Sequence, residues 1–173
     1  RPNTHTHTMP LIAGVDEAGA GPGFGSLWAA AVQRRAHQDW PAGLNDSKKL
    51  SAARREAVRA ALETRCAYGL GEVTALEIDE HGQSHALLLA FERALNDLRN
   101  RFPSEPMPEQ LVVDGVRFDG WRGVPHECVP KADATVPEAM AASIFAKTTR
   151  DAQVIALCDA DPTLDERYGI RSN

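Results

Sequence analysis

The chain has 173 residues, enough for one globular domain with a sizeable core. Its 43% hydrophobic and 25% charged content is ordinary for a soluble protein, and no apolar run approaches the roughly eighteen residues of a membrane-spanning helix. A net charge of −5 argues against a wholly basic nucleic-acid-binding surface, although Lys48-Lys49, Arg54-Arg55, Lys131, Lys147 and Arg150 gather near acidic motifs where bound cations would offset the negative count.

Residues 1–8 hold no apolar core and do not resemble a signal peptide, and Met9 suits a natural start. A disordered tail or expression remnant is expected over 1–8, with His5 and His7 belonging to it rather than to a metal site, and one folded domain over 9–173. Leu11-Ile12-Ala13-Gly14-Val15 reads as the first strand and leads straight into Asp16-Glu17. A carboxylate pair at the end of a buried strand is costly unless a cation neutralises it. Side chains alternate along a strand, so Asp16 and Glu17 cannot both face one ion from a regular strand; either a turn begins at the pair and redirects one of them, or backbone carbonyl groups join the coordination. The glycines at 19, 21, 23 and 25 supply a turn in which another backbone could approach closely.

A second strand is expected over 27–32, and Ser51 is a suitable N-cap for a helix over 52–66. Asn45-Asp46-Ser47-Lys48-Lys49-Leu50 places polar donors and two ammonium groups ahead of that helix, a grouping suited to phosphate oxygens. A short strand is expected at 72–74. A strong helix follows over 84–100, where Leu88, Phe91, Leu95 and Leu98 recur at three- and four-residue steps as a buried stripe. The proline-rich segment 103–108 is a loop. Leu111-Val112-Val113 returns to the sheet and ends in Asp114-Gly115; a further strand is expected over 124–129.

Pro137 opens a last helix over 137–158, with apolar contacts from Ala139, Met140, Ile144, Val154, Ile155 and Leu157. Asp133 lies just before it. On that helix Ser143 and Lys147 share a face, with Arg150 three residues further on, among the small residues Ala139, Ala141, Ala142 and Ala146. Helices between short apolar strands indicate an α/β protein, a mixed β-sheet flanked by helices. The three cysteines, Cys66, Cys128 and Cys158, are widely spaced and form no Cys-x-x-Cys pair, which favours reduced thiols in a cytoplasmic protein.

Three motifs in order, Gly14-Val15-Asp16-Glu17-Ala18-Gly19, Asp46-Ser47-Lys48-Lys49-Leu50-Ser51, and Lys131-Ala132-Asp133 with Ala141-Ala142-Ser143-Ile144-Phe145-Ala146-Lys147-Thr148-Thr149-Arg150-Asp151, resemble ribonuclease HII, the type 2 ribonuclease H family. The resemblance runs from about Leu11 to Tyr168-Gly169. It implies a ribonuclease H-like fold, hydrolysis of the RNA strand of RNA–DNA hybrids, and incision at single ribonucleotides embedded in duplex DNA. By motif position Asp16, Glu17, Asp114 and Asp133 match the family's four metal-binding acids. Asp114 rests on Leu-Val-Val-Asp-Gly alone, and Asp46, Asp119 and Asp151 are left as structural or supporting acids. On that reading two Mg²⁺ or Mn²⁺ ions about 3.5–4 Å apart would bracket the scissile phosphate and leave a 3′-hydroxyl and a 5′-phosphate. Four carboxylates without His or Cys favour the harder ion, Mg²⁺.

Gly19, Ala20 and Gly21 match the family's Gly-Arg-Gly turn, whose backbone reads the 2′-hydroxyl; Ser47, Lys48, Lys49, Ser143 and Lys147 complete the expected substrate contacts. The chain departs from the family twice. Ala20 stands where the family carries arginine, which removes a five-donor cation. The family also continues past Tyr168-Gly169 to a tyrosine that stacks on the sugar at the RNA–DNA junction, and this chain ends at Asn173 without it, so a shortened chain or impaired junction recognition is expected. A monomer is expected, acting on RNA–DNA hybrids and on DNA duplexes containing ribonucleotides. The alternatives are a catalytically impaired hybrid-binding protein and a two-metal nuclease acting on DNA.

Overall fold

Three apolar segments pair as antiparallel neighbours and two more join in parallel, giving one five-stranded mixed sheet of order β3-β2-β1-β4-β5. The strands are β1 (Ile12–Ala18), β2 (Leu27–Arg34), β3 (Cys66–Val73), β4 (Gln110–Asp114) and β5 (His126–Val129). The helices are α1 (Ala52–Arg65), α2 (Ala75–His81), α3 (Gln83–Arg101), α4 (Pro137–Ala160) and α5 (Thr163–Tyr168). The computed structural model describes residues 9–21 and 24–172, Ser172 by its backbone alone; the segment 1–8, Pro22, Gly23 and Asn173 lie outside the described residues.

Alternation along the strands sorts the core into two layers. Ala13 and Val15 of β1, Leu27, Ala29 and Ala31 of β2, and Leu111 and Val113 of β4 pack with Phe91 and Leu95 of α3. The intervening Ala30 and Val32 pack on the other face with Leu62 of α1 and Ile144 and Phe145 of α4. Val112 meets Ala139 on that same second face. The sheet is thus sandwiched between α3 and the pair α1–α4.

Glycine sets how closely the helices approach. A Cβ at Gly14 would lie 2.2 Å from the Ala139 amide nitrogen of α4. At Gly69 and Gly71 of β3 it would lie 2.2 Å from the Ala94 and Ala90 carbonyl oxygens of α3, respectively. Backbone stands where a side chain would have to go, so neither face admits even alanine at these points.

The structure corrects several sequence expectations. The strand expected at 72–74 is an eight-residue strand beginning at Cys66, directly after α1; the two glycines that admit α3 break its sequence pattern. Thr74 instead caps α2, accepting from the Glu77 amide, while the Glu77 carboxylate accepts from the Thr74 amide. Neither α2 nor α5 was expected. Strand β1 runs on through Asp16 and Glu17 to Ala18, so no turn begins at the pair. In the α3 stripe Phe91, Leu95 and Leu98 are buried, but Leu88 is only half-buried, while Ala86, Ala90 and Ala94 are fully buried beside them, Ala90 and Ala94 against the β3 glycines. On α4, Ile155 and Leu157 face outward. The expected caps stand: Ser51 Oγ accepts from the Arg54 amide, and Pro137 opens α4.

Candidate functional site

Strand lengths place the acids. Pairing of β1 with the parallel β4 stops at Val15 opposite Val113, whereas pairing with β2 continues through Ala18 opposite Trp28. Asp16 and Asp114 are therefore the next residues on adjacent parallel strands. They lie on the face shared with Gly14 and Val112, the α4 side. The chain returns to this point after β5. Lys131 adopts a left-handed conformation (φ 61°) and starts a single 3₁₀ turn, Ala132–Ala134. The Ala132 amide donates to Asp114 Oδ1 at 2.6 Å, which ties the end of β4 to the turn that carries Asp133.

Asp16, Asp114 and Asp133 each offer an oxygen within 4.8 Å of the others. Asp16 and Asp133 are both 4% exposed. Burial and the neighbouring charges of Glu17, Asp114 and Asp133 hold the Asp16 carboxyl well above the usual carboxylate range. Burial followed by Asp114 raises Glu17, and burial together with Asp133 raises Asp114 against the opposing Ala132 hydrogen bond. Glu17 stands apart from the three-acid group: by alternation it belongs to the α3 side of β1. Its carboxylate still lines the same cleft at the strand's projecting end.

The cleft, of about 320 Å³, is lined by these four acids with Ala18, Gly19, Ser47, Lys48, Ser143, Lys147 and Arg150. Asp46 caps the 3₁₀ turn Ser47–Lys49 by accepting from the Lys48 amide at 2.9 Å. Lys48 Nζ reaches Asp133 Oδ2 at 3.2 Å, and this hydrogen bond raises the Lys48 ammonium above its ordinary value. Opposite them α4 presents Ser143, Lys147 and Arg150 on one face. Gly19, at φ +99°, passes so close to Arg150 that a Cβ there would lie 2.8 Å from the guanidinium Nε. Arg150 is 4% exposed, and that Nε has no hydrogen-bond partner among the described residues.

Of the residues expected to touch substrate, Gly19, Ser47, Lys48, Ser143 and Lys147 line the cleft, whereas Ala20, Gly21 and Lys49 do not. All three of the latter are exposed. Ala20 is held from outside, its carbonyl accepting from Gln83 Nε2 of α3 at 2.8 Å. Sequence spacing put Arg150 on the cationic face of α4 but not among the binding residues. Gln83 was missed, because nothing local marks a contact across 63 positions.

A cleft of buried acids facing lysines and hydroxyls can collect hard cations beside a phosphate. Comparison with known proteins agrees. The family model for ribonuclease HII matches residues 13–173. A ribonuclease HII of Neisseria gonorrhoeae is 42% identical over 153 residues, spanning 88% of this chain and 75% of that protein. One from Porphyromonas gingivalis is 41% identical over 145 residues, 83% of this chain and 69% of the relative. Among solved structures, the ribonuclease HII of Archaeoglobus fulgidus in complex with PCNA superposes with a TM-score of 0.70 at 28% identity, covering 87% of this chain and 76% of that one. The ribonuclease H2 of Pyrococcus horikoshii gives 0.67 at 30% identity, covering 86% and 75%. The fold is shared further with an Mn²⁺ complex of Bst-RNase HIII, TM-score 0.73 at 22% identity over 87% and 55% of the two chains.

Proposed function

The chain belongs to the ribonuclease HII family and is a metal-dependent endoribonuclease, and from that premise we propose that it hydrolyses the RNA strand of RNA–DNA hybrids and incises duplex DNA at embedded ribonucleotides. The observation that carries the reading is the group of buried Asp16 and Asp133 with half-buried Asp114, their oxygens within 4.8 Å of one another.

The donor set suits divalent cations. The three acids are oxygen-only ligands, they repel one another, and Lys48 is the one cation paired with them among the described residues. We assign Asp16, Asp114 and Asp133 as the ligands, with Glu17 reaching the same cleft from the projecting end of β1. Two Mg²⁺ or Mn²⁺ ions held there would supply an activated water and charge stabilisation for phosphodiester hydrolysis to 3′-hydroxyl and 5′-phosphate ends. The protein's own part is to orient the substrate. Lys48 and Lys147 meet the phosphates from opposite walls, the Ser47 hydroxyl adds a donor, and Ser143, whose hydroxyl donates to the Met140 carbonyl at 2.8 Å, borders the cleft between them. The Gly19 backbone borders the cleft, its missing side chain making room for Arg150, and its peptide group is assigned to the 2′-hydroxyl that separates RNA from DNA. The three free cysteine thiols support placing the reading in a reducing compartment such as the cytoplasm.

The test is cleavage of three duplexes, an RNA–DNA hybrid, a DNA carrying one ribonucleotide and an all-DNA control, with Mg²⁺, with Mn²⁺ and with chelator. Metal-dependent cutting of the first two alone supports the reading. Hybrid binding without cleavage in either metal would leave a hybrid-binding protein, and equal cutting of the all-DNA control would make it a DNA nuclease.

A further inference from the structure

Asp151 lies on α4 one turn beyond Lys147, and its two carboxylate oxygens serve different elements. Oδ1 accepts from Lys147 Nζ at 2.8 Å, and Oδ2 lies 3.6 Å from the Arg55 guanidinium of α1. The same Arg55 donates to the carbonyls of Ser47 at 2.9 Å and Leu50 at 2.7 Å, at the two ends of the 3₁₀ turn that carries Lys48. Lys48 then reaches Asp133. A continuous series of contacts thus runs from Lys147 on one wall of the cleft, through Asp151 and Arg55, to Lys48 on the other. The Arg55 side chain is 14% exposed and those of Lys147 and Asp151 are each 29% exposed, so water screens these pairs less than it would surface ion pairs.

We propose that Asp151 is a positioning residue that sets the separation of the two lysine-bearing walls, and with it the grip on the phosphates of the substrate strand. The proposal rests on the functional reading above. It also opposes simple electrostatics. Asp151 is an anion beside a polyanion's binding site, so charge alone says that removing it should tighten binding. Positioning says the opposite, because without the carboxylate Lys147 loses its anchor and Arg55 loses the contact that joins the turn to α4.

The experiment compares Asp151→Asn, Asp151→Glu, Lys147→Met and the double variant Asp151→Asn/Lys147→Met with the parent in steady-state cleavage of an RNA–DNA hybrid. Asp151→Asn is expected to raise KM roughly tenfold while kcat changes no more than about threefold. Asp151→Glu, which can still span one helical turn, should recover most of that loss. The double variant should lose less than the product of the two single losses. Tighter or unchanged hybrid affinity in Asp151→Asn, or single losses that multiply, would overturn the proposal. Amide hydrogen exchange without nucleic acid gives a readout independent of activity: the amides of residues 47–50 should exchange faster in Asp151→Asn, and unchanged exchange would refute the link through Arg55. A parent that cleaves no hybrid defeats the functional reading, whereas a cleaving parent with an indifferent Asp151→Asn defeats only this inference.

Discussion

Replacing Asp16 with asparagine should abolish hydrolysis and, at the same time, stabilise the metal-free protein at neutral pH. The two carboxamide atoms nearly reproduce the carboxylate's shape, and Asn Oδ1 can keep the 2.7 Å hydrogen bond from the Glu17 amide. What disappears is a buried charge facing Asp114 and Asp133 within 4.8 Å. At an effective dielectric of about 20, each such pair repels by roughly 3 kcal/mol. Protonating Asp16, the direction in which burial and its acidic neighbours push it, would relieve this repulsion, which sets a ceiling. At about 1.36 kcal/mol per pH unit between the ordinary carboxyl value of 3.8 and pH 7, the cost cannot exceed about 4 kcal/mol. A gain of about 2–4 kcal/mol for Asp16→Asn at pH 7 follows. Its pH course is fixed by the direction of the shift. The native carboxyl is raised, so the stability it contributes is complete below about pH 3.8 and is lost as pH rises through the native value. Variant and parent should be equally stable near pH 4 and diverge toward neutrality. Urea denaturation in chelator at several pH values measures this directly. An Asp16→Asn protein no more stable than the parent at pH 7, or a gap that does not widen with pH, would refute the account of three mutually repelling acids. Adding Mn²⁺ should then stabilise the parent more than the variant.

Gly14→Ala should cost at least about 3 kcal/mol, because its Cβ would fall 2.2 Å from the backbone of α4, and a melting temperature within a few degrees of the parent would contradict that packing. Ala20→Arg adds a cation at an exposed position next to the cleft residue Gly19; hybrid affinity measured at fixed salt should tighten by roughly tenfold, and weaker or equal binding would show that a side chain at 20 does not reach phosphate. Burial pushes the Cys66 thiol up to about 12, so iodoacetamide at pH 8 should modify half-buried Cys128 first and Cys66 only on unfolding; early labelling of Cys66, read by mass spectrometry, would count against the burial.

Local pattern announced some elements well and others poorly. The α3 stripe and the Ser51 and Pro137 helix starts are short-range signals, and each appears where its chemistry puts it. Most of strand β3 lies outside the segment expected at 72–74; its Gly69 and Gly71 interrupt the apolar pattern and admit the α3 backbone, a need set by a helix some twenty residues away. Helix α2 went unseen because it is short and buries none of its residues, leaving the Thr74–Glu77 cap as its only local mark.

The sequence by itself determined the fold class and, through three ordered motifs, the family, and it marked Asp16, Glu17 and Asp133 within those motifs, with Asp114 beside them, as candidate metal ligands. It also carried the alternation rule that separates Asp16 from Glu17, since side-chain direction along a strand is a local property. Only the tertiary structure decided which acids meet. Asp16 and Asp114 share a face because parallel pairing ends at Val15 and Val113, and Asp133 joins them because the Ala132 amide binds Asp114. The linkage of Lys147 to the Lys48 turn through Asp151 and Arg55 likewise spans α4 and α1. Register and helix crossing are set by packing over the whole chain, so contacts between residues almost a hundred positions apart leave no periodicity to read.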